Sequence, residues 1–210
     1  MSAVSTIGIV VFDDVLMAEV TGFVEVFALA RQIPVFAESR VLLIGVEPQA
    51  SIRTEEGLRL MVDATIADEL ALDVLLVPGA NDVDSLLAHA DLNAFIQRQA
   101  VGAQWVGSVC AGAFILGQAG VLDGRQATTW HGGEAQLQTQ FPTIQVIHNQ
   151  PVVLDQRRVT ANGGLVSYRA ALVLLSQLST VAHAREVYQR LGIDRLGTWA
   201  EIEASLPQAG

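Results

Sequence analysis

"WVGSVCAGAFILGQAG", residues 105–120, decides how the chain is read. Trp105 to Val109 form a short apolar run, which passes straight into Cys110, and a stretch rich in Ala, Gly and Ile follows at once. A strand that feeds directly into a helix is the unit from which parallel sheets are built. Working outward, the same alternation recurs. Strands are predicted over 7–12, 40–46, 73–80, 104–109 and about 126–129, and in the short runs "IQVI", "PVVL" and "RRVTA". Helices are predicted over about 19–30, 83–99, 111–119 and 132–141, and the final third from Val166 to Leu191 is mostly helical, with Tyr168, Leu172, Leu175 and Leu178 on one face. "SIRTEEGLRLMVD" reads as a hairpin turning at Gly57. The predicted architecture is α/β: one doubly wound, mainly parallel sheet with helices on both faces, in a single domain spanning 1–210.

Composition bounds the partners. The 210 residues carry 22 Asp and Glu against 12 Lys and Arg, a formal charge of -10, and no basic run that would neutralise phosphates, so nucleic acid is not an expected partner. The start, "MSAVSTIGIVVFDD", has the wrong pattern for a signal peptide, and no apolar stretch reaches the roughly 18 residues of a membrane span. A single cysteine forms no internal disulfide, which suits a reducing, cytoplasmic setting.

In open α/β sheets, ligands gather where strands end and helices begin, because unpaired N–H groups and the positive end of the helix dipole point there. Cys110 occupies such a junction, where a thiolate is favoured, with Gly107, Ser108, Ala111, Gly112 and Ala113 leaving room around it. Spacing alone leaves two readings open: a functional thiol, or a small buried hydrophobe. Glu19 likewise reads either as a partner for the thiol or as an acidic residue in the first turn of a helix.

"SVCAGAFILGQAGVLDGRQATT" (108–129) resembles the cysteine-centred signature of the ThiJ/PfpI superfamily, the class I glutamine amidotransferase-like proteins, whose fold is flavodoxin-like. It is most similar to the branch that holds isonitrile hydratases and the sensor domains of arabinose-operon-type regulators. The likeness extends to "IGIVVFDDVLMAEVTGFVEVFALA", "VLLVPGA" and "VTANGGLVSYRAALVLL", and so covers most of the chain in order. The resemblance implies that a protonated Glu19 donates a hydrogen bond to a Cys110 thiolate. It also implies backbone N–H donors for an oxyanion at Ala111, Gly79 and Ala80, and a homodimer.

Two positions depart from the pattern. Ala111 stands where the hydratases carry a threonine, and the order Trp130–His131 inverts a His–Trp pair, so His131 falls one place late. Both remain candidates for the pocket wall, with a surface or helix-cap histidine as the alternative. No spacing among the four histidines suggests a metal site, and no cofactor is expected. The expected function is a cysteine-dependent hydratase or hydrolase of a small molecule, isonitrile hydratase-like. The alternative is a non-catalytic small-molecule or redox sensor with an oxidisable Cys110.

Overall fold

The computed structural model describes residue 4 and residues 6–198. In chain order the elements are β1 (Thr6–Val11), α1 (Met17–Ala30), β2 (Arg40–Gly45), β3 (Ser51–Arg53), β4 (Arg59–Met61), β5 (Ala64–Thr65), β6 (Val74–Val77), α2 (Asp84–Leu87) and α3 (Ala90–Gly102). They continue with β7 (Trp105–Val109), α4 (Gly112–Gln118), β8 (Gln126–Ala127), α5 (Glu134–Gln140), β9 (Gln145–Val146), β10 (Val152–Asp155), β11 (Arg158–Ala161), α6 (Val166–Leu178) and α7 (Val181–Leu191).

Seven strands form the main sheet in the order β10-β11-β7-β6-β1-β2-β5. All neighbours are parallel except β10, which runs antiparallel to β11. The central strands β1 and β6 are buried on both faces, which explains why they read as unbroken apolar runs. Helices α1, α6 and α7 pack together as one layer, and α2, α3 and α4 as another. From β1 the chain turns one way to β2 and later the other way to β6, so the carboxyl ends of β1 and β6 mark the switch point of the sheet. Four neighbouring strands, β11, β7, β6 and β1, deliver their following turns to this one edge.

The expected doubly wound α/β architecture is present, with local differences. The helix expected over 83–99 is split. His89 interrupts it with extended backbone and starts α3 afresh, its ring nitrogen Nδ1 accepting the N–H of Leu92 at 3.2 Å. The strand expected to Thr129 stops at Ala127, because the N–H of Thr128 turns to the Thr160 hydroxyl. In α6 the face that enters the core is Ser167, Ala170, Ala171, Leu174, Leu175 and Leu178. Tyr168 and Leu172, expected on that stripe, lie one step round the helix in the groove against α7, since small residues let α6 approach its neighbours closely. The hairpin of β3 and β4 turns at Gly57 as expected, with φ +87. No helix among the described residues is long and apolar enough to cross a membrane.

Close approach rather than turn geometry requires Gly112, because a Cβ there would lie 2.0 Å from the carbonyl oxygen of Val77. Gly112→Ala is expected to destabilise the protein by about 1–3 kcal/mol in thermal or urea unfolding, since strand and helix backbones must part. Gly102→Ala, at the end of α3 where a Cβ meets nothing within 4 Å, is the control and should be neutral or stabilising by about 0.5 kcal/mol.

Candidate active site

Cys110 sits between β7 and α4 with φ +53, a left-handed conformation that costs a non-glycine residue about 1–3 kcal/mol. The surroundings over-determine it. Its N–H extends the β7–β11 ladder to the carbonyl of Ala161 at 2.9 Å, and its carbonyl accepts the Thr129 hydroxyl at 2.8 Å and the N–H of Ala113 at 3.3 Å. Asn162 in turn holds the carbonyl of Thr129. This is a nucleophile elbow: the sharp turn lifts the side chain out of the sheet and leaves it half-buried.

Glu19 arrives from the neighbouring helix with no exposed surface. One carboxyl oxygen, Oε2, accepts the N–H of Gly79 at 2.7 Å, and the other, Oε1, accepts the N–H of Gly164 at 3.0 Å. Its third partner is the Cys110 side chain. Position along α1 is set by a close crossing with α6: Gly22 lies against Ser167, whose hydroxyl donates to the carbonyl of Ala18 at 2.8 Å. Two glycines close over the pair. A Cβ on Gly163 would lie 2.5 Å from Glu19 Oε1 and 2.9 Å from the sulfur, and one on Gly79 would lie 2.7 Å from the Ala111 nitrogen and 2.8 Å from the Cys110 Cβ.

Burial dominates the electrostatics of both groups. It pushes the Glu19 carboxyl up, against the pull of the Gly79 and Gly164 N–H groups and of Cys110, and the charge of Glu56 pushes the same way. Burial first and the Glu19 charge second push the Cys110 thiol up to about 12, against the Ala111 N–H. The start of α4 by itself does not favour a thiolate here. The helix that follows has only seven residues, and desolvation outweighs its N–H groups. A thiolate requires that Glu19 carry the proton, which removes the like charge and supplies a hydrogen-bond donor. The two groups therefore titrate as one unit.

The structure brings Cys110 and Glu19 together and places the N–H of Ala111 at the sulfur. It gives Gly79 a different task from the one expected: its N–H is taken by Glu19, so it orients the acid instead of waiting for an oxyanion. Ala80 is buried and bridges to Val15, tying the turn after β6 to the loop after β1. Trp130 and His131 part company after β8. Trp130 stacks on Phe114 with ring centroids 4.9 Å apart and lies against Gly133, while His131 is exposed beside Glu134. The chain leaves β8 before these residues, so strand alternation does not govern where they point. Sequence reasoning missed Thr129, Gly163 and Gly164. The available signal was the "NGG" at 162–164 after an apolar strand, which mirrors the "PG" at 78–79.

Two substitutions separate these roles in the rate at which iodoacetamide alkylates Cys110 at neutral pH. Gly163→Ala, which pushes the carboxyl off the sulfur, is expected to slow the reaction about tenfold or more, up to the roughly 10²-fold at the lower end for loss of a positioned proton donor. His131→Ala is expected to leave it within about twofold of wild type, as for a surface side chain outside the site.

The chain is 32% identical over 186 residues to an isonitrile hydratase of Pseudomonas putida, covering 88% of this chain and 77% of that one. It is 25% identical over 194 residues to the HTH-type transcriptional regulator GbdR of Pseudomonas aeruginosa, covering 89% of this chain but 51% of the regulator. Its fold matches the crystal structure of a ThiJ/PfpI family protein from Pseudomonas syringae with a TM-score of 0.81 at 22% identity, over 92% of this chain and 76% of that one. The model of the DJ-1/PfpI family matches residues 5–177, and the chain belongs to that family.

Proposed function

We propose that the protein is a cysteine-dependent hydratase of small molecules, isonitrile hydratase-like, working in the cytoplasm as a homodimer. One observation carries the reading: a fully buried Glu19 is hydrogen-bonded to a thiol at a strand–helix elbow, in a chain 32% identical to an isonitrile hydratase. A buried acid that shares a proton with a nucleophile is poised to do two jobs in sequence.

The reactive form has the proton on Glu19 and the charge on Cys110. Sulfur attacks the terminal isonitrile carbon, a C–S bond forms, and the Glu19 proton moves to that carbon, leaving a thioimidate and a Glu19 carboxylate. Water then adds across the C=N bond, its hydroxyl going to carbon and one hydrogen to nitrogen. The C–S bond breaks, returning the electron pair to sulfur, and the remaining hydroxyl proton returns to Glu19. The product is an N-substituted formamide. The Ala111 N–H steadies charge on sulfur at both ends of the cycle. Ala111 itself adds no hydroxyl, so proton transfer falls on Glu19 alone.

A second reading, a sensor without turnover, is supported by the similarity to GbdR and by the half-buried, oxidisable thiol. Two cavities, of about 710 and 680 Å³, lie by the loop before β6 and between α6 and α7, away from the sulfur.

Turnover of an isonitrile panel, with formamide measured by chromatography, decides between the two. Wild type is expected to turn over and Cys110→Ser to lose about 10³-fold or more; unchanged rates in Cys110→Ser would remove the hydratase reading, and an inert wild type would favour the sensor. The pH profile is expected to be bell-shaped. Its two limbs are the two proton losses of the coupled pair, and the acid limb is displaced upward from the usual carboxyl range because burial raises Glu19. In Glu19→Ala the alkaline limb should disappear along with most of the rate. Sedimentation velocity at micromolar concentration is expected to show two chains, and a 22.4 kDa species would count against the dimer.

A further inference from the structure

The helix that carries Glu19 begins without a cap of its own. Leu16 occupies the N-cap position of α1 and has no side-chain acceptor, so the N–H of Met17, first residue of a 14-residue helix, has no cap from its own end of the chain. The acceptor comes from 39 residues away: both carboxylate oxygens of Glu56, in the turn of the β3–β4 hairpin, receive the N–H of Met17, at 3.1 and 3.2 Å. The hairpin is held for this task. Backbone N–H groups of Asp14 and Glu55 bond to the carbonyls of Arg53 and Val15 at 2.7 and 3.1 Å. The Arg53 N–H donates to Asp13 at 2.7 Å, and the Asn81 amide donates to Glu55 at 2.9 Å. Within the turn, Thr54 receives the N–H of Gly57 on its carbonyl and that of Leu58 on its hydroxyl.

We propose that Glu56 is a positioning residue for the Cys110–Glu19 pair, capping α1 from the hairpin and, by its charge, keeping the shared proton on Glu19; this rests on the proposed role of that pair. The positive end of α1 by itself favours a charged carboxylate on Glu19, two residues into the helix. A carboxylate on the first N–H of the same helix offsets that field. The charged groups around Glu56 are Arg53, Glu55 and Arg59 on its own hairpin, Asp13 and Asp14 on the loop after β1, and Glu19 on α1. The guanidinium of Arg53 faces the turn at Gly57, while acidic groups predominate on the helix side.

The test is the pH dependence of Cys110 alkylation by iodoacetamide in the full chain, at low and high salt, for wild type, Glu56→Gln, Glu56→Ala and Glu19→Gln. Thermal unfolding of each is followed alongside. Glu56→Gln keeps an oxygen for the Met17 N–H but removes the charge. It is expected to retain the wild-type unfolding temperature and to lower the alkylation rate at neutral pH about two- to fivefold, the size of a helix-terminus charge effect. At 1 M salt the difference should vanish, since Glu56 is exposed and its field is screened. Glu56→Ala should match Glu56→Gln in rate and also unfold at a lower temperature. A wild-type profile in Glu56→Gln at low salt, with Glu19→Gln shifted, would overturn the role of Glu56 and leave the pair intact. If Glu19→Gln also alkylates as wild type does, the pairing of Cys110 with Glu19 fails, and the role of Glu56 fails with it.

Discussion

A buried carboxyl meets a half-buried thiol at the carboxyl edge of the sheet, and the shape of that edge follows from this contact. Sulfur and carboxyl lie in hydrogen-bonding contact, and both are withdrawn from water, so ionising either is costly and ionising both more so. Among the described residues no cation lies against the pair to relieve that cost. The protein surrounds the pair with backbone N–H groups from Gly79, Gly164 and Ala111 instead. Each donor is delivered by a different strand end, β6, β11 and β7, while the acid follows β1. Four adjacent parallel strands are needed to bring these groups to one place.

Glycine at 79, 112 and 163 is the steric counterpart of this arrangement. At each, a single added carbon would meet backbone, sulfur or carboxyl oxygen at 2.9 Å or less. These positions give up side-chain packing so that main chain can approach the pair. The left-handed Cys110 is the matching expense on the sulfur side, held by Ala161, Thr129 and Ala113. Strain and close approach at the elbow are compensated by a sheet whose central strands β1 and β6 are buried along their whole length.

The same logic gives a peripheral hairpin a reason to exist. A helix capped by its own N-terminal serine or aspartate would meet the main-chain need with local chemistry. Here a leucine stands at that position, and the acceptor is supplied from across the loop by Glu56, together with a negative charge close to the buried acid. The field at Glu19 is thereby tied to the placement of the β3–β4 hairpin.

Periodicity and the strand–helix seam at Cys110 were enough to predict the sheet, its helices and the hairpin at Gly57, because apolar runs and turn residues are local signals. The family resemblance, which takes in "IGIVVFDDVLMAEVTGFVEVFALA" as well as residues 108–129, is what singled out Glu19 as partner to the thiol. Helix continuity at His89 was not legible, since a histidine nitrogen replacing a backbone acceptor leaves no mark in hydrophobic pattern. Nor was the placement of Trp130 and His131, which depends on where β8 ends. The division of labour among N–H groups belongs to the tertiary structure alone. Gly79 and Gly164 are 85 residues apart and become two donors to one carboxyl only when β6 and β11 flank β7. The upward push on the thiol likewise comes chiefly from burial, a property of the packed molecule that no stretch of residues carries by itself.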